Sequence, residues 1–107
     1  MSKISLLDSL KSLNNEKSLF RTFFSHGSLE IELYKPDGVD LQKPHERDEI
    51  YVVASGSSHF TVGAQQYNAV AGDVLFVAAG VEHRFSKFTD DFATWVFFYG
   101  PQGGEQT

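Results

Sequence analysis

The chain contains no cysteine. That excludes disulfide bonds, thiolate metal sites and a cysteine nucleophile together, so any metal must rest on histidine and carboxylate ligands. Cationic side chains are also few: nine Lys and Arg stand against fourteen Asp and Glu, a formal net charge of −5 with histidine neutral. They are scattered, and without a basic stripe to neutralise a phosphate backbone, nucleic acid is not an expected partner. No segment approaches the roughly 18 consecutive apolar residues of a membrane-spanning helix. The opening "MSKISLLDSLKSLNNEKSLF" has no continuous apolar run with a small-residue cleavage site. The expectation is a cytoplasmic protein with no membrane partner. No GXSXG elbow occurs, and the glycine-rich "GPQGGEQT" has no helix after it, so neither a serine triad nor a phosphate loop is supported. Asp48 and Glu49 are adjacent and face opposite ways on a strand, which is a poor arrangement for paired-carboxylate glycoside chemistry.

What is present favours sheet. The 107 residues suit one core, and ten Phe, four Tyr and one Trp exceed what a small helical bundle needs. Ile4, Leu6, Leu7, Leu10 and Leu13 recur at helical spacing, and "SLLD" from Ser5 to Asp8 reads as a capping box, so one short helix is expected to end at Asn14-Asn15. After Arg21 the pattern changes to period two. Strands are expected in "SLEIELY" (28–34), "DEIYVVAS" (48–55), a hairpin over 58–70 turning near Gly63-Ala64, "VLFVAA" (74–79), "EHRFSKF" (82–88) and the doubly apolar "FATWVFFY" (92–99). One helix followed by short, punctuated strands indicates an all-β sandwich or barrel. The chain divides into a helix and lead-in over 1–20, a β domain over 21–100, and a flexible tail over 101–107.

Two histidine motifs carry the chemistry. If the strand at Asp48 is already extended at Lys43, alternation puts Lys43, His45, Arg47, Glu49, Tyr51 and Val53 of "KPHERDEIYVVASG" on one face. A second histidine, His83, follows Gly80 by three residues at the start of another strand. Two histidines and a carboxylate from separate strands can converge inside a small barrel and leave coordination positions open. His59 and His26 are weighed as further ligands. His59 is expected to point outward because Ser58, Phe60 and Val62 form the inward set, and His26 reads as a surface histidine. Tyr51, Phe60, Phe76, Phe85, Trp95 and Phe97 could line a pocket, although core filling is the commoner use of aromatics in a small barrel.

With these motifs in place, the chain resembles a small single-domain cupin, whose motifs are G(X)5HXH(X)3-4E(X)6G and G(X)5PXG(X)2H(X)3N. His45, Glu49 and Gly56 fit the first, and Gly72, Gly80 and His83 fit the second, in the right order and covering about half the chain. The departures are Lys43 at the first histidine, Ala78 at the proline, Lys87 at the asparagine, and Gly38 one residue off the opening glycine. The resemblance implies a jelly-roll β-barrel with one short N-terminal helix and, residue by residue, His45, Glu49 and His83 as metal ligands. It implies a dioxygenase or isomerase acting on a small molecule through a 2-His-1-carboxylate centre holding Fe, Zn, Mn or Ni; the alternative is a non-catalytic binding or sensing barrel. Lys43, Arg47 and Tyr51 are the candidate substrate contacts. The doubly apolar last strand and the leucine-bearing helix exceed what one small barrel covers, and a homodimer is expected.

Overall fold

The computed structural model describes residues 2–106. Helix α1 (Leu6–Glu16) starts where the sequence places its cap: the Ser5 hydroxyl accepts from the Asp8 N–H at 3.2 Å. It ends at Lys17, whose left-handed backbone lets its own N–H bond the Asn14 carbonyl. The strands follow as β1 (Phe20–His26), β2 (Leu29–Tyr34), β3 (Asp48–Ser55), β4 (Ser57–Val62), β5 (Gln65–Val70), β6 (Val74–Val77), β7 (His83–Ser86) and β8 (Ala93–Tyr99).

They form a five-stranded sheet in the order β1-β2-β8-β3-β6, facing a three-stranded sheet in the order β5-β4-β7. Every pairing between these strands is antiparallel. This is an all-β jelly roll with one short helix, made of two sheets rather than one continuously closed barrel. Strand β1 is an addition to the sequence reading, which starts its first strand at Ser28. "FRTFFSH" lacks clean alternation, and a register irregularity between Thr22 and Phe24 breaks its pairing with β2.

Register decides which residues enter the space between the sheets. Glu32 pairs with Val96, and Val96 with Tyr51; Glu30 pairs with Phe98, and Phe98 with Glu49. Tyr51, Phe60, Phe85, Phe92 and Val96 meet there in the main core. The opposite face carries two apolar rows, Ile31–Phe97–Ile50–Phe76 and Leu33–Trp95–Val52–Val74. Leu6, Leu10 and Leu13 of α1 lie against Leu33, Ala93, Phe23 and Trp95 at one end of this face. Phe76, Trp95 and Phe97, read as candidate pocket residues, therefore lie on the outer face. An apolar run on both sides of β8 hides which side faces the interior.

Within the segment read as a flexible tail, residues 103–105 are tied to the barrel end. The Gly103 N–H donates to the Glu46 carbonyl at 2.7 Å, the Glu105 N–H donates to Asp48 Oδ2 at 2.8 Å, and Gly104 is buried.

Candidate metal centre

Three elements deliver the site. Glu49 enters from β3, His83 from the first position of β7, and His45 from the irregular segment before β3. The loops that carry the two histidines are joined: the Gly80 N–H donates to the His45 carbonyl at 2.8 Å. One ligand-type atom from each of the three side chains lies within 4.8 Å of the others, a grouping that could hold a metal ion.

The polar bookkeeping at this point does not close within the protein. His83 Nδ1 lies 3.0 Å from the Val81 carbonyl, which can only accept, so Nδ1 carries the proton and Nε2 presents a lone pair. Nε2 sits 3.0 Å from Glu49 Oε1, yet the pair does not meet hydrogen-bond geometry. His83 Nε2 and both Glu49 oxygens are buried without a hydrogen-bond partner among the described residues. Leaving such groups unpartnered is costly, and only a proton or a cation relieves lone pairs that face each other. Burial pushes the Glu49 carboxyl up to about 8; the Tyr51 hydroxyl works in the other direction, and the charges of Glu32 and Asp40 add to the rise. The Tyr51 proton is directed to Gln42 Oε1 at 3.1 Å, and burial, followed by the Glu49 charge, raises the hydroxyl well above its usual range.

His45 is half-buried, with Nε2 3.9 Å from Glu49 Oε2 and its ring edge-on to Phe98 at 5.0 Å. Burial and then the neighbouring His83 lower its pKa, favouring the neutral imidazole that a metal requires. The donor set, two imidazoles and a carboxylate, suits a divalent transition ion. The buried unpartnered atoms fit such an ion on geometry as well as on chemistry.

The other candidate residues take different places. Tyr51 is fully buried beside His83, with ring centroids 5.9 Å apart. Arg47 does not face the cluster: Nη1 pairs with Glu30 at 2.7 Å, Nε donates to the Gly100 carbonyl at 3.1 Å, and Nη2 donates to the Ser28 carbonyl. Lys43 is exposed. Both departures have one cause. The strand begins at Asp48, so the alternation expected from Lys43 onward stops short of it. His59 is turned outward, with Nδ1 3.3 Å from Asn68 Oδ1.

Two residues that sequence reasoning passed over organise the site. Asp40 is buried, and its carboxylate accepts from the Tyr34 hydroxyl at 2.6 Å, the Phe85 N–H at 2.8 Å, and both the backbone and side-chain amides of Gln42 at 3.0 and 3.2 Å. Gln42 in turn meets Tyr51 and His45. The only sequence signal is "DLQ", two polar residues at alternate positions shortly before the histidine.

A cavity of about 450 Å³ opens beside His45, between Phe20, Leu41, Phe98, Tyr34 and Glu32. Burial, reinforced by the Glu30 charge, pushes the Glu32 carboxyl up to about 7. A larger space, about 860 Å³, lies between the end of α1 and the loops at Lys35 and Asp90, and none of the three candidate ligands lines it.

Residues 30–99 match the family described as Cupin domain. An uncharacterized protein of Streptomyces coelicolor is 37% identical over 82 residues, covering 75% of this chain and 78% of that one. Among solved structures, a cupin superfamily protein from Desulfitobacterium hafniense superposes with a TM-score of 0.64 at 19% identity, covering 78% of this chain and 77% of that chain. Protein NMB1881 from Neisseria meningitidis gives a TM-score of 0.72 at 14% identity, covering 92% of this chain and all of that one. Similarity at these identities supports the shared fold.

Proposed function

Because the chain belongs to the cupin domain family, we propose that it is a metal-dependent enzyme, a dioxygenase or isomerase, in which His45, Glu49 and His83 hold a divalent ion. The observation that carries this reading is the set of buried, unpartnered atoms on Glu49 and His83 with His45 beside them. The ion, when bound, supplies redox chemistry if it is iron or Lewis acidity if it is zinc, manganese or nickel. The chain's own residues do the rest. Tyr51 and Phe98 hold the two imidazoles in place, and the cavity beside His45 admits a small molecule.

The character of that cavity favours an uncharged substrate. No Lys or Arg lines it, Arg47 is engaged elsewhere, and the acidic side chain in its wall is Glu32. Apart from the ion itself, an anionic substrate would find no compensating cation beside Glu32, whereas a neutral molecule with an apolar body can rest on Phe20, Leu41 and Phe98.

Protein purified without chelator is expected to carry near-stoichiometric divalent metal, and His45→Ala and His83→Ala are each expected to lose it. Elemental analysis of the three proteins checks this. A wild-type protein that refuses added iron, zinc, nickel and manganese would overturn the enzyme reading and leave a binding or sensing barrel. Oxygen consumption with candidate substrates then separates dioxygenase from isomerase.

The outer apolar rows support a homodimer. Val74 and Phe76 are 65% and 54% exposed at the edge that α1 does not cover. Light scattering at micromolar concentration is expected to give twice the chain mass, and Phe76→Glu to shift it toward the monomer. A monomeric wild type at that concentration would remove the dimer.

A further inference from the structure

Building on the metal reading above, we propose that the side-chain carbonyl of Gln42 is a fourth protein donor to the ion, filling the position that Lys43 leaves without a ligand. The orientation of the Gln42 amide is fixed by what surrounds it. Its Nε2 lies 3.2 Å from Asp40 Oδ2, and since a carboxylate oxygen accepts there, the NH2 group must face Asp40. Oε1 therefore faces the cluster. It lies 3.3 Å from His45 Nε2 and accepts from the Tyr51 hydroxyl at 3.1 Å. A carbonyl oxygen has two lone pairs: one accepts from Tyr51, and the other is left for the ion once His45 Nε2, 3.3 Å away, carries no proton.

Gln42 Oε1 to His45 Nε2 is 3.3 Å, His45 Nε2 to Glu49 Oε2 is 3.9 Å, and Glu49 Oε1 to His83 Nε2 is 3.0 Å. Donors held about 2.1 Å from one ion at right angles lie about 3 Å apart, so the Gln42–His45 and Glu49–His83 pairs are close to the spacing of neighbouring ligands, and the His45–Glu49 pair is wider. Lys43, by contrast, is exposed, and as an ammonium it has no lone pair to offer. Exchanging one imidazole for a neutral oxygen makes the set two nitrogens and two oxygens. It shifts preference toward harder ions, manganese and iron(II), relative to an imidazole-rich site.

The test titrates Mn(II) into metal-free wild type, Gln42→Leu and Gln42→Glu. Electron paramagnetic resonance counts the free ion, and water-proton relaxation counts the waters on the bound one. Gln42→Leu is expected to bind about tenfold or more weakly and to carry one extra water on the bound ion. Gln42→Glu restores the oxygen donor, keeps the wild-type hydration and binds at least as tightly. Gln42→Asn keeps the amide but withdraws it by one methylene; it gives the same added water and serves if leucine prevents folding. If Gln42→Leu or Gln42→Asn weakens binding while hydration stays at the wild-type value, Gln42 only positions His45, and the ligand assignment is overturned. A wild type that binds no ion would overturn the metal reading itself, and the Gln42 assignment with it.

Discussion

Glu49→Gln is expected to abolish stoichiometric metal binding and, at the same time, to make the metal-free protein more stable at alkaline pH than the wild type. Glu49 is buried completely, and burial raises its pKa from the usual carboxylate value to about 8. A carboxyl whose folded-state pKa is raised binds its proton more tightly folded than unfolded. Its contribution is fully present below the unfolded value near 4.5 and is lost as pH rises through about 8. Glu32, raised to about 7, adds a second loss that is complete slightly earlier. The metal-free wild type should thus lose a few kcal/mol of unfolding free energy between pH 5 and pH 9, as a ceiling of about 1.4 kcal/mol per pKa unit allows. In Glu49→Gln most of that slope disappears, leaving the Glu32 part. Metal reverses the sign for the wild type, because an ion needs the carboxylate: loading below pH 8 displaces the Glu49 proton, and affinity climbs with pH. Urea melts across pH, with and without metal, read both effects. A pH-independent metal-free wild type would show that the burial of Glu49 does not hold its proton.

Gly56→Ala is expected to be the most damaging single-methyl change in the chain. Gly56 has φ +70, and a Cβ built there would lie 2.4 Å from Thr89 Oγ1, 2.7 Å from Asp91 Oδ1 and 2.8 Å from the Phe92 Cα. Two costs combine: a left-handed conformation of about 1–2 kcal/mol for a residue with a side chain, and overpacking of about 1–3 kcal/mol against backbone that cannot swing away. A loss of roughly 3 kcal/mol or more should lower the melting temperature by on the order of 10 °C. Gly38 separates the two costs. It has φ +72 but nothing within 4 Å of a Cβ, so Gly38→Ala should lose only the conformational part. Equal losses at both positions would show that crowding at the β3–β4 turn contributes nothing.

Gly56 also illustrates what the sequence could and could not convey. Its spacing from Glu49 is legible as a motif, but the reason for a glycine is the loop of residues 89–92 pressing on it, a contact between distant parts of the chain. Strands β2 to β8 were legible because each has β-branched or aromatic residues and turn residues, Gly, Pro or Asp, nearby in the sequence. β1 was not, since its polar and aromatic residues fit no period. The grouping of Glu49 with His83 was implied by the cupin motif spacing, and strand alternation added only that Glu49 points away from Asp48. The fates of Lys43, Arg47 and Gln42 were not legible, because they sit in an irregular segment held by separate long-range contacts, among them Asp40 to Phe85, His45 to Gly80 and Arg47 to Glu30. Alternation is a rule for paired strands, and it gives no direction for a segment outside the strand ladders.

Asp48 and Glu49 are successive carboxylates on β3 with opposite surroundings. Asp48 receives the N–H groups of Glu105 and Ala79, which hold its pKa below the usual value, while Glu49 is raised. The former is made an obligate anion that fastens the chain end and the β6–β7 loop; the latter is kept as a site that changes charge with its occupant. What separates a rivet from a switch here is the phase of the pleat, and a slip of β3 by one residue would exchange them. The β3–β8 register runs unbroken from Asp48 to Val53, which holds both residues in that phase, and the irregularity comes only between Val53 and Ser55.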